Sequence, residues 1–143
     1  MRRMAELGEV EKQLLNAALE AMVNAYVLWS FPVGAAVLAE DGQVYVGCNI
    51  ESWISGLGIC AERAAINHAI VHGNRKIRGV AVVISAEHEG DTVPCGVCLQ
   101  HISDFAENAQ IKIVMAKADG RKVIFRTVQV KTLGELLPFP YKK

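Results

Sequence analysis

The chain has 143 residues, with 15 Lys or Arg against 15 Asp or Glu, so its formal net charge is zero with His neutral. A protein that works by gripping phosphate backbones carries a basic footprint, and this composition supplies none. Hydrophobic residues make up 52%, or about 58% with Gly counted and Tyr left out, against a norm of roughly 45–50%. That excess excludes a disordered chain and predicts apolar surface beyond one core, as at a subunit interface.

No apolar run reaches the roughly 18–20 residues of a membrane span. Met1-Arg2-Arg3-Met4 is basic, but Glu6, Gly8 and Glu9 follow where a signal peptide would carry its apolar segment. The expectation is one cytoplasmic domain over residues 1–143, with neither a nucleic acid nor a membrane as partner. In that compartment Cys48, Cys60, Cys95 and Cys98 point to metal ligation rather than disulfides.

Val10 to Tyr26 reads as a helix, because Leu14, Leu15, Ala18, Met22 and Ala25 recur at spacings of three and four. Val33 to Ala39 is a small-apolar strand, Asp41-Gly42 a hairpin signal, and Gln43 to Asn49 the returning strand. Cys60 to Val71 is helical, with Gly73 just beyond it as a stop. Ile77 to Ser85 is apolar on both faces, as a central strand is. Cys95 to Phe105 follows Pro94 as a second short helix. Ile111 to Ala116 reads as a buried strand, Lys122 to Val128 as a weaker edge strand and Thr132 to Leu136 as a short terminal helix. This order predicts an α/β fold, one mixed sheet with helices on its faces.

Two segments carry chemistry: Cys60-Ala61-Glu62, and Pro94-Cys95-Gly96-Val97-Cys98. Three protein thiolates leave the fourth tetrahedral position of zinc open, which distinguishes a catalytic site from a closed structural one. Cys48 lies in a strand and reads as a small core residue. Helix N-termini favour thiolate over thiol, the form that binds metal. Glu62 falls in the first turn after Cys60, where a carboxylate can lean over the open position and relay a proton without ligating.

These segments resemble the zinc-dependent cytidine deaminases of the short, homotetrameric, three-cysteine type, whose signature is a Cys/His-x-Glu segment followed by Pro-Cys-x-x-Cys. The likeness runs from about Tyr26 to Tyr141. It includes Phe31-Pro32-Val33-Gly34-Ala35-Ala36, Gly47-Cys48-Asn49-Ile50-Glu51 and Gly134-Glu135-Leu136-Leu137-Pro138. The resemblance implies a three-layer α/β/α fold with a five-stranded mixed sheet and helices on both faces. It implies one Zn²⁺ per chain held by Cys60, Cys95 and Cys98, with Glu62 as proton shuttle. It further implies that Phe31 packs on a pyrimidine, Asn49 and Glu51 hold the sugar hydroxyl, and the Ala61 N–H holds the base carbonyl. Arg63 would donate to a metal thiolate. The implied activity is deamination of cytidine and 2'-deoxycytidine in pyrimidine salvage, by a homotetramer whose neighbouring chains complete each site.

The sequence departs from the family at Ser52-Trp53-Ile54-Ser55, where Asn-Ala-Ser-Tyr is usual, at Gly58 for Thr, at Leu99 for Arg, and in the loop Val27-Leu28-Trp29-Ser30. These changes touch the pocket rim and so the choice of substrate, for which cytidines substituted at N4 are an alternative. A non-catalytic zinc module is a further alternative, and a nucleic-acid-editing deaminase another, disfavoured by neutral charge. His68 and His72 read as a solvated surface pair, and His101 as a bystander to the metal. Trp29 and Trp53 read as packing groups at least as well as substrate-stacking ones.

Overall fold

The computed structural model describes residues 7–142, so the basic segment 1–4 considered above lies outside the described residues. The order is α1 (Glu9–Met22), β1 (Val33–Ala39), β2 (Val44–Cys48), α2 (Ala61–Val71), β3 (Ile77–Ser85), α3 (Gly96–Phe105), β4 (Lys112–Asp119), β5 (Lys122–Thr132) and α4 (Leu133–Leu136). The sheet runs β2-β1-β3-β4-β5. Only β3 and β4 are parallel; β1 pairs antiparallel with both β2 and β3, and β5 antiparallel with β4. The parallel pair needs a crossover, and α3 supplies it. Among the described residues no helix is long and apolar enough to cross a membrane.

Alternation along the strands builds two cores. Ala36, Ala81, Val83, Val114 and Ala116 face α1, meeting Leu14, Leu15, Ala18 and Met22. Ala35, Val37, Val80, Val82, Ile113 and Met115 face Ala65, Ile66 and Ala69 of α2, Leu99 and Ile102 of α3, and Leu133 of α4. The result is the expected three layers, with β3 buried on both sides.

The expected helix over Val10 to Tyr26 stops at Met22. Tyr26 is drawn into strand-like pairing instead: its N–H donates to Asn49 O at 3.0 Å, and its carbonyl accepts from Glu51 N at 2.8 Å. Cys60 and Cys95 are N-caps in extended conformation rather than helical residues. β5 runs past Val128 to Thr132 because Val130 and Lys131 keep pairing with Val114 and Ile113.

Two glycines let helices lie directly on the sheet backbone. A Cβ at Gly34 would stand 2.0 Å from Ala18 O and 2.7 Å from Met22 N, both in α1. A Cβ at Gly47 would stand 2.4 Å from Ala65 N and 2.6 Å from Ala61 O, which seats the first turn of α2 against β2. The second contact sets where Cys60 and Glu62 sit.

Candidate active site

A cavity of about 340 Å³ opens where β1, β3 and the starts of α2 and α3 meet. Phe31, Asn49 and Glu51 line it, as do Cys60, Ala61, Glu62, Cys95 and Cys98. Four separated segments thus bring every expected site residue but one to one cleft. Arg63 lies behind it, its Nη2 3.9 Å from Cys60 Sγ.

The sulfurs interact in pairs. The Cys98 thiol donates towards Cys60, and with the Arg63 guanidinium this acidifies Cys60 to about 5 despite burial. Cys98 is pushed up as the partner that keeps its proton, and burial adds to that. Among the described residues no group of three or more His, Cys, Asp or Glu is set to hold a metal ion as it stands. The donor set nevertheless fits zinc in kind. Three cysteines share one cleft, two of them cap helix N-termini, and a guanidinium offsets their negative charge.

Glu62 is 5% exposed. Burial raises its carboxyl above the usual range, and the neighbouring Cys60 charge acts in the same direction. A carboxyl whose pKa is raised in this way holds a proton more readily than a solvated one. Ala61, first in α2, lines the same cleft, and its N–H lies at the helix start, where no intrahelical partner exists.

Asn49 works as a backbone clamp. Its Oδ1 accepts from Val33 N and its Nδ2 donates to Phe31 O, both at 2.8 Å. This places Phe31 at the cleft wall and leaves Asn49 one amide hydrogen and one lone pair for a ligand. Glu51 receives the Ser30 hydroxyl and the backbone N–H groups of Trp29 (2.6 Å), Leu28 (2.5 Å) and Ser30 (3.3 Å). These donors hold its carboxyl down at about 2. The altered loop 27–30 is therefore wrapped around the carboxylate.

The remaining candidates fall elsewhere. His68 and His72 are exposed and pack against Tyr45. His101 pairs with Asn67 Oδ1 at 2.9 Å and meets Phe105 edge-on. Cys48 is half-buried at the end of β2 rather than in the core. Trp29 and Trp53 are exposed and meet edge to face at 5.4 Å. They line a second cavity of about 310 Å³, which shares Glu51 and Gly58 with the first. Sequence reasoning missed several cleft residues, among them Ser30, His88 and Asp91. Ser30 could have been found as the polar neighbour of Phe31. His88 carries no spacing signal, because its ring reaches Phe31 only in the folded chain.

The model of the cytidine and deoxycytidylate deaminase zinc-binding region matches residues 9–116. The chain is 40% identical over 136 residues to a cytidine deaminase of Sporosarcina psychrophila, covering 94% of this chain and 93% of that one. A cytidine deaminase of Halalkalibacterium halodurans is 38% identical over 128 residues, covering 89% and 90% respectively. The crystal structure of cytidine deaminase from Burkholderia pseudomallei superimposes with a TM-score of 0.78 at 33% identity, over 94% of this chain and 100% of that one. With the mixed five-stranded sheet, the paired cysteine segments and these likenesses together, the chain belongs to the cytidine and deoxycytidylate deaminase family of hydrolytic enzymes.

Proposed function

We propose that this protein hydrolytically deaminates cytidine and 2'-deoxycytidine to uridine and 2'-deoxyuridine, releasing ammonia, as a cytoplasmic enzyme of pyrimidine salvage. The observation that carries this reading is the buried Glu62 carboxyl in one cleft with Cys60, Cys95, Cys98 and the Asn49–Glu51 segment. Cys60, Cys95 and Cys98 hold one zinc per chain, which supplies the Lewis acidity that makes water a nucleophile near neutral pH. Glu62 takes one proton from the attacking water and delivers it to N3. It then carries the second proton, from the oxygen now bonded to C4, to the amine, so that the C4–N bond breaks and ammonia leaves. Arg63 tempers the charge of the Cys60 sulfur, and the Ala61 N–H holds the base carbonyl. Asn49 and Glu51 receive the sugar, while Phe31 packs against the pyrimidine.

Ultraviolet-monitored turnover of cytidine, deoxycytidine, cytosine, adenosine and N4-acetylcytidine tests the reading. Cytidine and deoxycytidine are expected to be consumed; inertness towards both would end it. The second cavity, which shares Glu51 and Gly58 with the cleft, supports a second substrate class. That room beside the cleft favours cytidines carrying an N4 substituent as additional substrates, and the N4-acetylcytidine arm measures it.

Metal analysis is expected to find about one zinc per chain. Chelation should abolish turnover and lower Tm, because thiolate ligation ties affinity to folding. A Cys95→Ala protein with full zinc and full activity would refute the ligand assignment.

We also infer a homotetramer in which neighbouring chains close each cleft. Trp53 is 75% exposed and Phe139 92%, and Ile54, Leu57 and Val97 are exposed as well. Apolar surface of this kind supports burial against another copy, and the number four rests on the family resemblance. Light scattering is expected to give a tetramer, and a monomer of undiminished specific activity on dilution would exclude it.

A further inference from the structure

His88 is a cleft residue that no step above uses, and its ring makes two contacts of its own. Its ring stacks on Phe31 with centroids 4.3 Å apart and planes 24° apart. Its Nε2 stands 3.1 Å from Asp91 O. A carbonyl only accepts, so Nε2 carries the hydrogen in that contact. Its own carbonyl accepts from Lys117 Nζ at 2.7 Å. Finally, Gly90 makes room for it: a Cβ at 90 would stand 2.7 Å from Nε2 and 2.8 Å from Cε1.

Lys117 reaches His88 from an irregular stretch of the sheet. The β4–β5 register shifts between Met115 and Lys117. There the Thr127 hydroxyl accepts from Lys117 N at 2.9 Å and donates to Ile124 O at 2.6 Å.

The Phe31 backbone is already clamped by Asn49. What remains free at Phe31 is the orientation of the ring, and His88 covers one of its faces. A lone phenyl at the mouth of a cleft samples several orientations, and a ligand that needs one of them must bind against that freedom. Two stacked rings remove it in advance.

We propose that His88 is a positioning residue for nucleobase binding, holding Phe31 in the plane in which it meets a pyrimidine. This rests on the function proposed above, in which Phe31 packs on the base. His88 belongs to none of the motif segments and acts on binding, not on proton transfer. Its removal therefore raises KM and spares kcat.

The test is steady-state kinetics on cytidine with the full-length protein. His88→Ala is expected to raise KM about five- to tenfold, with kcat within about twofold of wild type. His88→Phe keeps the stack and gives up the Asp91 bond, so it should bring KM back to within about twofold. Gly90→Ala displaces the ring and should raise KM as His88→Ala does, yet add nothing in the His88→Ala background, where there is no ring to displace. The inference is overturned by a wild-type KM in His88→Ala, by failure of His88→Phe to restore KM, by a fall in kcat at constant KM, or by additive effects of the two changes. Absence of cytidine turnover in the wild type would defeat the proposed function and the inference with it. Turnover with any of the overturning patterns defeats the inference alone.

Discussion

Glu62→Gln is expected to lower kcat for cytidine by about 10³-fold while leaving zinc content and fold intact. General acid–base groups contribute on the order of 10²–10⁴ in rate, and here one carboxyl serves both the attacking water and the leaving amine. The side chain is buried and its pKa raised by that burial, with the Cys60 charge adding to the effect. An amide of the same shape asks no more of its surroundings, because it brings no charge into a desolvated place. What it cannot do is accept and return a proton. Parallel measurement of kcat, zinc content and Tm checks all three parts. A loss of merely threefold would give the proton relay to another group.

Gly47→Ala is expected to cost about 3 kcal/mol and on the order of 10 °C in Tm, and to reduce turnover at temperatures where the variant is still folded. The added methyl has no flexible side chain to push aside, since the one side-chain atom it meets is the Ala64 Cβ, fixed to the same helix. It would meet the backbone of α2 at Ala65 N and Ala61 O, so the helix must lift away from β2 as a unit. Because the contact is at the first turn, the lift carries Cys60, Ala61 and Glu62 with it. Thermal unfolding followed by circular dichroism, with kcat measured well below the new Tm, separates the two effects. A wild-type Tm would mean that α2 slides on the sheet without loss.

How much of this could be read beforehand depended on the range of the interaction concerned. The limits of β3, Ile77–Ser85, were visible because a two-faced apolar run ends abruptly in Ala86-Glu87. The cysteine segments were visible because metal ligation works through short spacings and helix starts. The end of α1 was misjudged by four residues, since the helical pattern continues to Tyr26 while that residue is claimed by Asn49 and Glu51. The Asn49 clamp was equally hidden: its motif announced a sugar-binding residue, whereas half of its amide's hydrogen-bonding capacity holds the backbone of Phe31 and Val33. His88 was missed entirely, because its stack, its glycine seat and its lysine tether are all products of tertiary packing.

The cleft is gathered across the β1–β3 pairing, with walls from residues as far apart as Ser30 and Cys98. On a chain emerging in order from the ribosome, β1 and β2 can form their hairpin early, since a tight turn joins them. β1 must then wait for β3, and the wall carrying Cys95 and Cys98 waits for α3, whose crossover is fixed only once β4 has joined β3 in parallel. Such long-range closures are the slow steps of folding. The pocket is thus among the last things this chain makes, and a chain halted before Pro94 presents the Cys60 thiol with neither of its partners.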